Sequence, residues 1–269
     1  MKFALITFIA LTLHASVSAQ RKNLPSIIKK CKRSDPYLNE CVRQTMMDIR
    51  IYLERGIKEL NQRMQLNLVP MDPYVLPEVV LSTDWMNTTF NNMRVYRMSA
   101  FEINTIQVDF DKNPFIRIDY YHPYTEIKSH YRLDGTLLKI PIHADGESEA
   151  RFNNSRSFLS IDGHKTRKNG KEYMHLDKAD YKLRENPLEY MHLDKADYKL
   201  RENPLVYLHL PNLIKSNQEL TELLNTFIFA NKDIFYEELS PTSEKLTSMV
   251  LLSLFKQVFD NFSLDELFD

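Results

Sequence analysis

From residue 34 onward the chain passes through three regimes of patterning. Leu38, Val42, Thr45, Ile49, Leu53, Ile57 and Leu60 recur at three- or four-residue spacing. Asn39, Arg43, Asp48, Arg50, Glu54 and Lys58 fill the opposite side. This is one apolar stripe on an amphipathic helix of about 25 residues. Ser34-Asp35-Pro36 supplies its start, with Ser34 or Asp35 as cap and Pro36 in the first turn. Pro70, Pro73 and Pro77 in "LVPMDPYVLPEVVL" then forbid helix and favour an extended path.

From there to about Leu210 the pattern is strand-like. "MRVYRMSAFEINTIQVDF" and "PFIRIDYY" alternate apolar and polar residues. Alternation buries one face and solvates the other, which predicts an antiparallel sheet. Asp134-Gly135 and Asn169-Gly170 are two-residue hairpin signals between such runs. After Asn217 helical spacing returns, with Leu220, Leu223, Leu224, Phe227, Ile228, Ile234 and Phe235 on one stripe. Ser240-Pro241 restarts or kinks the helix, and Leu246, Met249, Val250, Leu254, Val258 and Phe259 continue the stripe. The fold class is α+β, and the broad apolar helix faces have one place to hide, the concave face of the sheet.

One stretch interrupts this order. Glu172 to Leu188 is repeated, letter for letter, as Glu189 to Leu205. Two units are too few for a solenoid, which needs at least about three. Within each copy the alternation slips: Met174 and Leu176 share one parity, Ala179, Tyr181 and Leu183 the other. A bulge near Asp177-Lys178 reconciles them. Identity at solvent-facing positions points to a recent tandem duplication or an error in the gene record, not to a functional device.

Composition narrows the classes. The formal net charge is -1, so no global field recruits nucleic acid, and with five glycines a Gly-rich phosphate loop is disfavoured. Lys2, the apolar run Phe3 to Leu13 and the small residues Val17-Ser18-Ala19 read as a secretory signal over residues 1–19, with Gln20 the first mature residue. That run is too short to span a bilayer, which needs roughly 20 apolar residues, and no other segment is long and apolar enough, so stable membrane insertion is not expected. In an oxidising compartment Cys31 and Cys41 are expected to form one disulfide. Asn87, Asn153 and Asn261 head N-glycosylation sequons.

Catalytic constellations are missing from the sequence: there is no G-x-S-x-G, H-E-x-x-H, Walker loop or C-x-x-C. His175, His192 and His209 share a strand context and read as a solvated face, so no metal and no cofactor is expected. Glu237-Glu238 and the acids of "SLDELFD" read as solvated helix-end charges. The basic residues Arg21, Lys22, Lys29, Lys30, Lys32 and Arg33 read as a solvated arm.

The order of motifs resembles the insect takeout and juvenile-hormone-binding protein family. The signal is followed by "LPSIIKKCKRSDPYLNEC", "LVPMDPYVLPEVVL", "RLDGTLLKIPI", "NGKEYMHLDK", "VYLHLPNL" and a Phe-rich helical end closing in "LDELFD". The resemblance runs over nearly all the mature chain. It implies a single domain over 20–269, in which a long helix is wrapped by a highly curved antiparallel sheet, as in lipid-transfer modules. It also implies an apolar tunnel, a disulfide between Cys31 and Cys41, and a carrier of juvenile hormone-like terpenoids, fatty acids or other long-chain lipids in place of an enzyme. The resemblance further implies a circadian- or feeding-related role, which the residues themselves do not specify. The candidate tunnel residues are Ile49, Leu53 and Ile57 of the first helix and Leu223, Phe227 and Phe255 of the last. Two rivals stand beside the carrier: a secreted signalling or interaction protein of the same fold with a filled interior, and a hydrolase assembled from distant residues.

If the leader reading is right, protein secreted from insect cells will begin at Gln20, as N-terminal sequencing reads. A mature chain that starts at Met1 refutes it.

Overall fold

The structure is a computed structural model that describes residues 28–56, 70–183, 203–215 and 217–269. Its framework is one very long hairpin. Strand β4 (Phe115–Leu137) and strand β5 (Ile140–Lys168) pair antiparallel from Phe115↔Asp162 to Leu137↔Ile140. Shorter strands share its two edges. On β4, β3 (Glu102–Asp109) covers the half near Phe115, and β2 (Met86–Tyr96) covers the half near Gly135. On β5, β6 (Lys171–Leu183) and β7 (Leu205–His209) divide the edge in the same way. Strand β1 (Tyr74–Ser82) adds outside β2, which makes, among the described residues, seven strands in one curved, unclosed antiparallel sheet. Pro77 sits in β1, an edge strand, where a missing N–H costs little.

Helix α1 covers Leu38–Arg55, α2 Gln218–Ala230, α3 Lys232–Phe259 and α4 Leu264–Leu267. Helix α1 begins later than Ser34-Asp35-Pro36 predicts. Those residues instead form turns, with the Asp35 carboxylate accepting from the Tyr37 N–H at 2.8 Å. Gly56, at φ 74°, ends α1 because its backbone enters the left-handed region. Residues 57–69 lie outside the described residues, so Ile57 and Leu60 are not placed. Ser240-Pro241 does not restart α3: the helix runs through Pro241, and the Ser240 hydroxyl donates to the Tyr236 carbonyl.

The hairpin signals divide. Asn169 (φ 51°) and Gly170 (φ 78°) form the β5–β6 turn, as predicted. Asp134-Gly135 does not turn. It lies inside β4, paired with His143 and Ile142, and the chain reverses at Leu138 (φ 52°) and Lys139 (φ 66°). Gly135 serves close approach instead. A Cβ there would meet the Trp85 carbonyl oxygen at 2.5 Å, so the β1–β2 turn can press onto β4 only where a side chain is missing.

Two apolar clusters sit on the sheet. One joins Ile106, Ile116, Ile118, Leu159, Met174 and Leu176 with α1, the C-terminal part of α3 and α4. The other joins Tyr131, Leu133, Ile142 and Leu213 with Leu224 and Ile228 of α2 and with Phe235.

Strand β6 is built from the first copy of the duplicated stretch, and its slip is resolved as expected. Asp162 pairs with Lys178 and Gly163 with Leu176, leaving Asp177 as the extra residue of a bulge. The flanking pairs measure the surplus. Leu183 pairs with Ser157 and Leu205 with Phe152, so five steps of β5 lie between partners that are 22 steps apart in the chain. Removing one seventeen-residue copy leaves five steps, bridged by Arg-Glu-Asn-Pro. The single-copy chain therefore fits the edge of β5 in register, with its Pro opposite Asn153, whose N–H already donates to the Pro204 carbonyl.

Deleting residues 189–205 will leave the fold intact and raise stability by about 1.5 kcal/mol, since the connection shortens from 21 residues to four. Thermal unfolding and circular dichroism check this. A fall in Tm would show that the second copy is part of the fold.

Candidate functional site

The first cluster is not fully packed. Between α1, the C-terminal part of α3 and the face of β3 and β4 lies a cavity of about 310 Å³. Its lining runs along α1 from Val42 to Leu53, about 16 Å of helix. The stripe of α1 faces this interior, yet no residue of α1 is fully buried. Side chains that point inward and keep accessible surface mark unfilled space beside them.

Polar contacts to a sheet edge hold α1 over the slot. Among the described residues strand β3 pairs only with β4, so its other edge needs partners. Asn39 Oδ1 accepts from the Val108 N–H at 3.0 Å. Arg43 donates to the Ile103 carbonyl at 3.4 Å, and Arg50 to the Phe101 carbonyl at 2.8 Å. The pattern that placed these residues on the polar side of the helix gives no sign of that task.

One end of the slot is closed covalently. Cys31 and Cys41 form a disulfide with Cα atoms 5.9 Å apart, tying the arm to the first turn of α1. Cys31 also bridges to Phe268, and the Asp269 N–H donates to the Cys31 carbonyl at 2.9 Å. The basic arm is not simply solvated. Arg33 pairs with Asp265 at 2.9 Å and Lys30 with Asp269 at 3.6 Å, both on the C-terminal segment. Phe110 stacks on Phe268 and Phe259 behind this closure.

The far end carries the polar groups. Ile116, Ile118, Tyr120 and His122 share one parity of β4 and line the slot. His122 Nε2 lies 3.3 Å from the Met98 carbonyl, and its ring packs edge-on against Tyr120 and Phe101. Burial holds the imidazole pKa below its ordinary 6.5, with the Met98 hydrogen bond opposing. Tyr120 is pushed well above the ordinary phenol range, first by burial and then by Tyr181. Tyr181, also raised by burial, to about 12, shares a 2.8 Å hydrogen bond with Ser157.

The six candidate tunnel residues separate. Ile49, Leu53 and Phe255 line the slot, and Ile57 lies outside the described residues. Leu223 does not line it: it is 64% exposed on the outer side of α2. Phe227 does not either, because α2 packs on the other half of the sheet and Phe227 joins the second cluster. Sequence reasoning missed Met46, Phe101, Ile103, Ile106, Tyr120 and His122. The alternation of "PFIRIDYYH" carried a signal for the last two.

The other sequence candidates are placed elsewhere. His175 is exposed, 4.0 Å from Asp260, His209 pairs with Glu149 in the sheet, and His192 lies outside the described residues. Glu238 accepts from the Trp85 indole, and Glu266 caps α4 through Ser263. Among the described residues no group of three or more His, Cys, Asp or Glu is placed to hold a metal ion, and no helix is long and apolar enough to cross a membrane.

Comparison with known proteins agrees with this architecture. The family model for haemolymph juvenile hormone binding protein matches residues 7–187 and 179–269. The match breaks inside the duplicated stretch, as expected if the family pattern holds one copy. The crystal structure of Takeout 1 from Epiphyas postvittana superposes with a TM-score of 0.71 at 17% identity, over 90% of this chain and 100% of that one. That likeness is one of fold. A lipopolysaccharide binding protein aligns at a TM-score of 0.27 and 9% identity, over 76% of this chain and 39% of that one, too little to argue from. No curated protein matches the sequence.

His122 generates a pH dependence. Its folded pKa is depressed, so between that value and about 6.5 the unfolded chain binds a proton that the folded one refuses. Stability is full above about pH 6.5 and falls by up to about 1.4 kcal/mol per pH unit below it. His122→Phe will lack this component in denaturant titrations. Parallel pH profiles for the two proteins would show that His122 is not held neutral.

Proposed function

The chain belongs to the haemolymph juvenile hormone binding protein family, and on that premise we propose that it is a secreted carrier of a small hydrophobic ligand held in the slot under α1. The observation that carries this reading is the slot itself: about 310 Å³ of space inside the first apolar cluster, walled almost entirely by apolar side chains. Its size is within the roughly 300–1,000 Å³ of ligand pockets. Each CH₂ that a ligand buries there contributes about 0.8 kcal/mol. Juvenile hormone-like terpenoids, fatty acids and other long-chain lipids all have the required apolar bulk. Ile49, Leu53 and Phe255 are the candidate contacts from the original set. The rival signalling protein with a filled interior has less support, because the first cluster leaves this space open.

Secretion rests on residues 1–19 as signal and on the disulfide, which suits an oxidising compartment. Asn87 and Asn153 are exposed and available for glycans, whereas at Asn261 the sequon's Ser263 is buried inside the α4 cap.

Filling the slot tests the reading. Ile49→Trp and Leu254→Trp will each weaken an apolar fluorescent probe about tenfold or more, at an overpacking cost of about 1–3 kcal/mol. Lipid extracted from wild-type protein and identified by mass spectrometry gives the second readout. No co-purifying lipid, together with probe binding that both variants leave intact, overturns the carrier.

A further inference from the structure

We propose that His164 and His175, opposed across the β5–β6 hairpin, form a surface site for a divalent transition metal ion, taking Cu²⁺ first and then Zn²⁺. The site is separate from the slot and does not depend on the carrier reading.

The hairpin makes the pair. Asn169-Gly170 turns the chain, and the register that follows sets His164 directly opposite His175. Side chains so placed have Cβ atoms about 4.5–5.5 Å apart. The two ring centroids are 5.0 Å apart, and the rings are inclined at 54°, so they are not stacked face to face. A metal at about 2.0–2.1 Å from a ring nitrogen stands about 3.2 Å from the ring centroid. At the tetrahedral angle two such rings lie about 5.2 Å apart, close to the spacing present. The shared strand context of His175, His192 and His209 gives no hint of this partner.

Each ring also has a carboxylate on its Nδ1 side. His164 Nδ1 lies 2.9 Å from both oxygens of Asp177, and His175 Nδ1 lies 4.0 Å from Asp260. A carboxylate only accepts, so Asp177 holds the proton of a neutral His164 ring on Nδ1 and leaves Nε2 as the bare nitrogen. This is the arrangement that orients histidine for metal. Asp177 reaches His164 as the extra residue of the β6 bulge, and Gly163 permits the bulge, because a Cβ there would overlap the His175 carbonyl oxygen.

The surroundings suit a hydrated cation. The side chains of His164 and His175 are 56% and 47% exposed. Asp177 and Asp260 balance a dication, while the adjoining Lys165 and Lys178 are engaged by Glu172 and Asp162. Imidazole favours Cu²⁺, Ni²⁺ and Zn²⁺ over Mg²⁺ and Ca²⁺, which take oxygen, and Cu²⁺ leads the affinity order. Two nitrogens are fewer than a closed site uses, so water completes the shell and the ion is exchangeable.

The test is calorimetric titration of the untagged, full chain with Cu²⁺, Zn²⁺ and Mg²⁺. Cu²⁺ will bind with micromolar affinity, Zn²⁺ more weakly, and Mg²⁺ not at all. His164→Asn and His175→Asn, checked for folding by circular dichroism, will each weaken Cu²⁺ at least about tenfold, and Asp177→Asn will weaken it about tenfold with both ligands in place. His143→Asn and His192→Asn will leave the affinity unchanged. Electron paramagnetic resonance of the bound Cu²⁺ will show coupling to imidazole nitrogen that both ligand variants lose. Absence of Cu²⁺ binding below millimolar metal, binding that survives His164→Asn or His175→Asn, or loss on His143→Asn or His192→Asn overturns the site. An Asp177→Asn protein of unchanged affinity overturns the positioning role of that carboxylate.

Discussion

The continuous pairing of β4 with β5 is the constraint on which the rest depends. Every other strand takes its register from one of these two, and β1 does so through β2. At about 3.3 Å per residue, the 23 residues of β4 give a strand of about 75 Å, far longer than a single apolar core. Such a strand twists and curves, and its two halves present separate faces. That explains why each long edge is shared by two shorter strands and why there are two apolar clusters. It also locates the seventeen duplicated residues relative to this framework. They enter at the junction between β6 and β7, where the edge changes hands, and the β4–β5 pairing does not pass through them.

The slot follows from how α1 is attached. A helix held only by apolar packing would settle until the space beneath it closed. Here Asn39 and Arg43 grip the outer edge of β3, Arg50 grips Phe101 just before it, and the disulfide holds the first turn. These contacts have fixed lengths. They set the height of α1 above the sheet. Among the described residues the second half is held differently. Asn225 bonds both the N–H and the carbonyl of Leu210, and Thr221 does the same at Ile214, so α2 sits tightly on its cluster.

Particular elements show how far sequence pattern reaches. Alternation located the strands, and its slip at Asp177 located a bulge, because side-chain parity is a local property of extended backbone. Asn169-Gly170 was legible as a turn for the same reason. Asp134-Gly135 misled, because a glycine can answer either a turn or a close neighbour, and the neighbour, Trp85, comes from fifty residues away. Leu223 and Phe227 misled differently. Helical spacing says that one face is apolar without saying which half of the sheet receives it, and the flanking Leu223 stays in solvent.

The sequence by itself determined the element types, the antiparallel character of the sheet, the cysteine pair and the apolar faces of the helices. Each follows from contacts between residues near in the chain or from the chemistry of one residue type. The tertiary structure alone decided where space is left and which polar groups border it. The slot and its polar end at Tyr120 and His122 are set by the distance between α1 and a strand sixty to eighty residues further on. No local period encodes that distance. It emerges only when the hairpin has curved and the edge of β3 has fixed the helix above it.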